Sequence, residues 1–284
     1  MTGTGAGHGK LLLCGEHAVV YGHPAIAVAV DRSTRVSLTR RPGPTAVRSV
    51  HVDHRVRDAL FTTLPDVGFD VEVVTDLPVG RGMGSSAALA VAVVRAWADL
   101  EGEIVSPEVV ETRALPIERS FHGNPSGVDV AVSAHGGCLW FQRGEPSIRE
   151  ALPSPRLPLV VLDSGADRET AHMVAAVAAR RPDCDAELEA IGRLVHEARG
   201  CLQDVTALGA LLLENHRRLV ALGVSTPALD ALVDLAMTHG ATGAKLAGAG
   251  GGGVVLALVE DPGSLLVAAA DRGVHAFPCE VWTP

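Results

Sequence analysis

Lysine is nearly missing from this 284-residue chain: of 24 basic residues only Lys10 and Lys245 are lysine. Tyrosine occurs once, asparagine twice, isoleucine five times, and aromatic residues make up 3% of the chain. That bias is what a GC-rich coding sequence produces, and under such drift surface lysines become arginine. The two survivors, in "GHGKLLLCGEH" and "GAKLAGAGGGG", both lie close to glycine. They are candidates for places where a compact point charge does what a guanidinium fork cannot. The five cysteines contain no CxxC pair and are odd in number, which argues against a disulfide framework or a zinc site. No apolar run is long and charge-free enough to span a bilayer, and "MTGTGAGHGK" lacks the charged and apolar regions of a signal peptide, so a cytoplasmic location is expected. A net charge of −9 argues against nucleic acid as the main partner.

What is present is a set of glycine-rich loops set against apolar segments. "PVGRGMGSSAA" (78–88) precedes "LAVAVVRAWADL", apolar on nearly every side, which predicts a buried helix beginning near Gly84. The start of a buried helix is a seat for phosphate, although the same residues also suit a plain turn before a core helix. "KLLLCGEHAVVYGHPAIAVAVD" reads as strand, tight turn and strand, and "TRVSLTR" as a further strand. "VRDALFTTL" suits a short helix and "FDVEVVTDLP" a strand. A helix follows in "SPEVVETRALPIERSF", with Ser106 as its cap. "HGNPSGVDVAVSAHGG" reads as a loop feeding a short helix, and "CLWFQ" as a strand.

Four prolines in the sixteen residues "RGEPSIREALPSPRLP" predict a boundary near residue 155, giving domains 1–155 and 156–284. Beyond it come the strand "LVVLD", the helix "RETAHMVAAVAARR", a helical tract over about 186–220 and the helix "TPALDALVDLAMTHG". A strand, a glycine loop, the strand "VVLALV", a helix and a last strand complete the chain. The expectation is an α+β fold in two layers, each an antiparallel sheet with helices on one face.

Generic nucleotide motifs fail. The phosphate-loop pattern has no match around Lys10, where Thr4 replaces its first glycine and Leu11 follows the lysine. The GxGxxG at Gly248, Gly250 and Gly253 leads into a strand rather than a helix, which removes a dinucleotide-binding reading. Three other elements suit phosphoryl transfer, which needs a phosphate cradle, hard oxygen ligands for Mg²⁺, a cation on the moving charge and a group orienting the nucleophile. The 80–86 loop can cradle, Ser86 and Glu118 can ligate, Lys10 can supply charge and Asp129 can accept a proton. Singly, each has a plainer reading: Glu118 as a solvated helix residue, Asp129 as a helix cap, His17 as a turn residue.

Taken together, "GKLLLCGEHAVVYGHPAIAVAV", "PVGRGMGSSAA", "ERSFHGNPSGVDVAVSAHGG" and "KLAGAGGGG" resemble, in order and spacing, the signature segments of the mevalonate kinase branch of the GHMP small-molecule kinases. The resemblance spans essentially the whole chain. It implies ATP- and Mg²⁺-dependent phosphorylation of the C5 hydroxyl of (R)-mevalonate, feeding isoprenoid synthesis. It also implies a two-domain fold, with an N-terminal domain like part of ribosomal protein S5 and a ferredoxin-like C-terminal domain.

By the same resemblance Asp129 and Lys10 match catalytic positions, and Ser86 and Glu118 match magnesium ligands. Pro78, Gly80, Arg81, Gly82, Met83, Gly84, Ser85 and Ser86 match nucleotide-binding positions. Glu16, His17, Arg168, Thr170, Gly248, Ala249 and Gly250 match positions that contact substrate or close over it. A homodimer is implied by resemblance alone. The chain departs from the family at Val130, where asparagine is usual, and at Ala247, where threonine is usual. A different small hydroxy acid or sugar as acceptor, or a catalytically silent nucleotide-binding homologue, are the alternatives at this level.

Overall fold

The computed structural model describes residues 1–48, 68–122, 125–144, 146–166 and 170–284. The helix expected at "VRDALFTTL" and the substrate position Arg168 lie outside them.

The first half is a six-stranded sheet. Strand β1 (Thr2–Cys14) pairs antiparallel with the long β2 (Pro24–Arg40) over almost its full length. The far end of β2 also pairs with β4 (Phe69–Thr75), and its near end with β5 (Cys138–Gln142). Outside these lie β3 (Ala46–Arg48) and β6 (Ile148–Leu152), with β3 running parallel to β4. "TRVSLTR" is therefore the continuation of β2 rather than a separate strand. Register shifts between His8 and Lys10 and between Leu12 and Cys14 let the pair bend without breaking.

Among the described residues, three helices cover this sheet: α1 (Ser85–Glu101), α2 (Pro107–His122) and α3 (Val128–His135). Helix α1 lies unusually close to β1, and the sequence shows why. A Cβ on Gly3, Gly5 or Gly7 would come within 2.3, 2.3 and 2.0 Å of the carbonyl oxygens of Ala96, Ala92 and Ala88 respectively. Glycine every second residue clears one face of a strand, while alanine every fourth residue forms one ridge of a helix. The helix backbone thus beds directly on the strand backbone. "TGTGAGHG", which shows no strand pattern of its own, is the first half of that strand.

The second half runs β7 (Leu159–Asp163), α4 (Thr170–Ala179), α5 (Asp185–Gly200), α6 (Val205–Ala221), α7 (Pro227–Thr238), β8 (Gly243–Ala247), β9 (Val254–Leu258), α8 (Gly263–Ala270) and β10 (His275–Cys279). Its sheet is fully antiparallel in the order β10-β7-β9-β8. That is a ferredoxin-like β-α-β-β-α-β plan with extra helices in its first crossover. The single tract expected over 186–220 breaks at Cys201–Asp204, where the Asp204 side chain accepts from the N–H groups of Thr206 and Ala207 and starts a new helix.

One apolar cluster joins the two sheets, with Leu11, Leu13, Ile26, Val28 and Trp140 of the first packed with Val161, Leu256, Leu258 and Phe277 of the second. After β10 the chain returns to the first sheet, where Trp282 bonds Ala29 and Gly137 through its backbone and stacks on His8 at 3.6 Å.

Candidate active site

Two helix N-termini converge where β1 passes beneath them. Helix α1 starts after Gly84 (φ +71°) and α3 after Gly127 (φ +92°), both left-handed conformations that glycine adopts without steric cost. A first helical turn directs N–H groups that have no acceptor inside the helix, with a partial positive charge, into the space ahead of it. Gly80 and Gly82 of the preceding loop also have positive φ, which curls its backbone into a concave rim.

Lys10 and Asp129 meet at this convergence, with Nζ 3.2 Å from Oδ1. The Lys10 backbone N–H donates to the Met83 carbonyl at 2.9 Å, fixing strand to loop. A Cβ on Gly84 would come within 3.0 Å of the Lys10 Cγ and 3.8 Å of the Asp129 carboxylate, so the glycine leaves that space to the pair. Asp129 lies in the first turn of α3, where the helix favours its charge. Lys10 is buried, whereas the Asp129 side chain keeps 28% of its surface open. The reach of the pair toward an incoming molecule is through the aspartate.

Beside them, Ser86 Oγ donates to Glu118 Oε1 at 3.0 Å. Burial, and then the neighbouring Asp129 charge, push the Glu118 carboxyl up to about 8, against the opposing pull of the Ser86 hydrogen bond and Lys10. Two carboxyl groups and a hydroxyl so placed form a hard-oxygen set whose electrostatics call for positive charge. Among the described residues no cluster of three or more His, Cys, Asp or Glu side chains is assembled for a metal. A cation here would complete its shell with ligand or water oxygens.

The other residues of the 78–86 loop make different contacts. Gly80 N–H donates to Ser85 Oγ at 3.4 Å, bracing the loop. The Met83 side chain is fully buried in the inter-sheet core, so it anchors the loop rather than facing a ligand. Arg81 reaches across to Asp163 at the end of β7, 3.4 Å away, a partner the sequence reading does not include. Pro78 precedes the loop in the chain, following the buried Leu77.

The second half contributes the 248–253 loop, where every residue except Ala249 is a glycine with positive φ. At Gly250 a Cβ would meet the Val224 carbonyl oxygen at 2.0 Å, so no side chain fits there. The Ala249 carbonyl accepts a hydrogen bond from His17 Nε2 at 2.9 Å, which brings His17 and Ala249 together. Thr170 opens α4, whose Met173 packs against Gly251.

Glu16 meets a different arrangement from the substrate contact expected of it. Its side chain is 1% exposed and both carboxylate oxygens are engaged: Oε1 with the ammonium of Lys245, Oε2 accepting from Asn215 Nδ2 at 3.0 Å. Lys245 of β8 and Asn215 of α6 enclose it. Asn215 carried no sequence signal; Lys245 carried one, as the second surviving lysine. The departures Val130 and Ala247 lie in cores. Val130 packs with Ala87, Ala90 and Val91 beneath α1, and Ala247 packs in the inter-sheet cluster. Both side chains are buried.

Comparison with known proteins adds independent findings. The profile described as GHMP kinases N terminal domain matches residues 50–137, and that described as GHMP kinases C terminal matches 189–272. The mevalonate kinase of Pyrococcus horikoshii is 37% identical over 291 residues, covering 88% of this chain and 86% of that protein. The mevalonate kinase of Methanothermobacter thermautotrophicus is 33% identical over 291 residues, covering 95% of each. Among solved structures, the L. major mevalonate kinase in complex with R-mevalonate superposes with a TM-score of 0.89 at 28% identity, covering all of this chain and 97% of that one.

Proposed function

This chain belongs to the GHMP kinase family, and from that premise we propose that it transfers the γ-phosphoryl group of ATP to the C5 hydroxyl of (R)-mevalonate, giving 5-phosphomevalonate and ADP. The observation that carries the reading is the Lys10–Asp129 pair set between two helix N-termini and a glycine loop.

In the proposed reaction the backbone of Gly80–Ser86 and the start of α1 hold the nucleotide phosphates. Asp129 aligns the attacking hydroxyl and takes up its proton, while the oxygen forms a bond to the γ-phosphorus and the bond to the ADP oxygen breaks. Lys10 pairs with Asp129 and offsets charge at the reacting oxygens. Ser86 and Glu118 are the residues that would hold Mg²⁺, which when bound neutralises phosphate charge and orients the triphosphate. His17, with Arg168 and Thr170, would orient the acceptor, an anion whose carboxylate lies at the end away from the reacting hydroxyl. The division near residue 155, a cytoplasmic location and a homodimer belong to the same proposal. For the first, strands β1–β6 precede that point and β7–β10 follow it. For the second, no helix among the described residues is long and apolar enough to cross a membrane.

The test is ADP release with Mg²⁺-ATP and mevalonate, phosphomevalonate, homoserine or galactose in turn, with the product located by ³¹P NMR. Turnover with mevalonate alone, giving a phosphomonoester at C5, is the expected result. Turnover with another acceptor and none with mevalonate would sink the substrate assignment.

A further inference from the structure

Lys245 has no exposed surface, and neither Asn215 nor Glu16 has appreciably more. A sealed ammonium and a sealed carboxylate are costly to desolvate, and an apolar pair of similar volume often holds two elements together at least as well. What an ion pair whose carboxylate oxygens are both engaged supplies in addition is a single geometry. The question is which geometry this one fixes.

The pair joins three pieces of chain. Lys245 Nζ, from β8, binds Glu16 and also donates to the Leu12 carbonyl of β1 at 3.3 Å. Asn215, from α6, holds the other oxygen of Glu16. The next residue of α6, His216, accepts the Leu246 N–H through Nδ1 at 3.3 Å and faces Asp230 of α7 through Nε2 at 3.2 Å. Residues 215–216 therefore hold both β8 and the turn after β1. That turn leads directly into His17, whose φ of +58° is unfavourable for a residue with a side chain. A strained conformation persists only where its surroundings over-determine it. Here the restraints are Glu16 on one side and the bond from His17 Nε2 to the Ala249 carbonyl on the other. The same strand holds Lys10, tied to the phosphate loop through the Met83 carbonyl.

We propose that Lys245 and Asn215 are positioning residues, which act through Glu16 to set the His17 ring against the glycine loop and so define the acceptor end of the site. Glu16 is part of that device and does not touch substrate. This rests on the reading of the cleft as an acceptor site for a small hydroxy acid. It adds to that reading a role for the chain's second lysine at the acceptor end of the site.

The test compares the parent with Lys245→Met, Glu16→Gln, the double variant Lys245→Met/Glu16→Gln and Asn215→Ala. Each single change at the pair strands a buried charge, whereas the double variant is neutral and close in volume. The double variant is expected to melt near the parent while its KM for mevalonate rises about tenfold or more, since small misplacements of an orienting group carry costs of that size. Its KM for ATP stays within about twofold, because nothing in the phosphate loop has moved. Asn215→Ala, which keeps the ion pair, shows the same split more weakly and decides the matter if the double variant does not fold. A parental KM for mevalonate in both, or equal rises in both KM values, would reduce the network to a structural joint.

A second readout needs no turnover. In ¹⁵N-histidine spectra, with His17 assigned through His17→Gln, the Nε2-protonated signature of His17 is retained in the parent and lost in the double variant. Its persistence there overturns the proposal. A parent inactive on mevalonate defeats the substrate reading instead, and leaves the spectra to judge the positioning role.

Discussion

The two lysines make two ion pairs with opposite surroundings. Lys10 and Asp129 are 3.2 Å apart, and the aspartate keeps 28% of its surface open at the junction of two helix N-termini. Lys245 and Glu16 are sealed, at 0% and 1%, between β8, α6 and the end of β1. The chemistry of the pairs is the same and their access is not. A carboxylate that a ligand can reach is able to exchange a proton with it, whereas one held by Lys245 and Asn215 can only hold the chain in place. Burial and the engagement of both carboxylate oxygens therefore separate the pair a ligand can reach from the pair it cannot, where residue type alone does not.

The largest effect expected is on turnover at the open pair. Lys10→Met should lower kcat about 10³-fold, equivalent to about 4 kcal/mol of barrier, while ATP still binds. Steady-state kinetics beside calorimetric nucleotide titration checks this, and a variant that turns over normally would erase the contrast. Nearly as large, but in stability, is Glu16→Gln: leaving Lys245 buried without its carboxylate should cost about 3 kcal/mol in urea unfolding. Asp129→Asn should cost clearly less, because water reaches that site. If the two stabilities came out reversed, the comparison would be inverted.

Smaller again is Gly7→Ala. Its Cβ would collide with the Ala88 carbonyl in the first turns of α1, so the helix must shift, at about 1–3 kcal/mol of stability. Because α1 starts at the open pair, kcat/KM should also fall, while the ¹⁵N signature of His17 at the sealed pair stays in place. An unchanged kcat/KM would show that the position of α1 is not what sets the open pair.

The smallest effect is one of pH. Burial holds the His216 imidazole below its ordinary value, against the pull of Asp230 and with a push from Lys245. The unfolded chain then takes up a proton near pH 6.5 that the folded chain refuses, so this stability is present above that pH and lost as pH falls below it. His8, also lowered by burial, acts in the same direction. Melting temperatures from pH 7.5 to 5.5 should decline, and His216→Gln should flatten the slope in part. A slope identical to the parent's would remove His216 as a contributor.

The corner where Lys10 and Asp129 meet was the most legible part of the molecule, because its signals are local. Glycines before a small apolar helix, a lone lysine between glycine and leucine, and an aspartate opening a helix can each be read within a few residues of sequence. The strand at Thr2–Cys14 was hidden over its first half, since alternating glycines carry no strand preference of their own and make sense only against Ala88, Ala92 and Ala96. Strand β6 was absorbed into the proline-rich segment because four of its five residues are exposed and it lacks the pattern of a half-buried strand. The partners of Glu16 could not be read at all. Lys245 and Asn215 lie 229 and 199 residues away, brought there by the packing of two sheets. Val130 and Ala247 show the converse. As departures from a family pattern they point to altered specificity, yet both sit in cores where a small apolar side chain fits.

The measurement that tests the account most directly is a rapid-quench single turnover of Asp129→Ala with Mg²⁺-ATP and mevalonate, beside nucleotide titration of the same protein. The account predicts ATP bound as in the parent, with phosphomevalonate formation slowed at least about 10³-fold. Formation at the parental rate would contradict it, and would move the chemistry away from the Lys10–Asp129 corner.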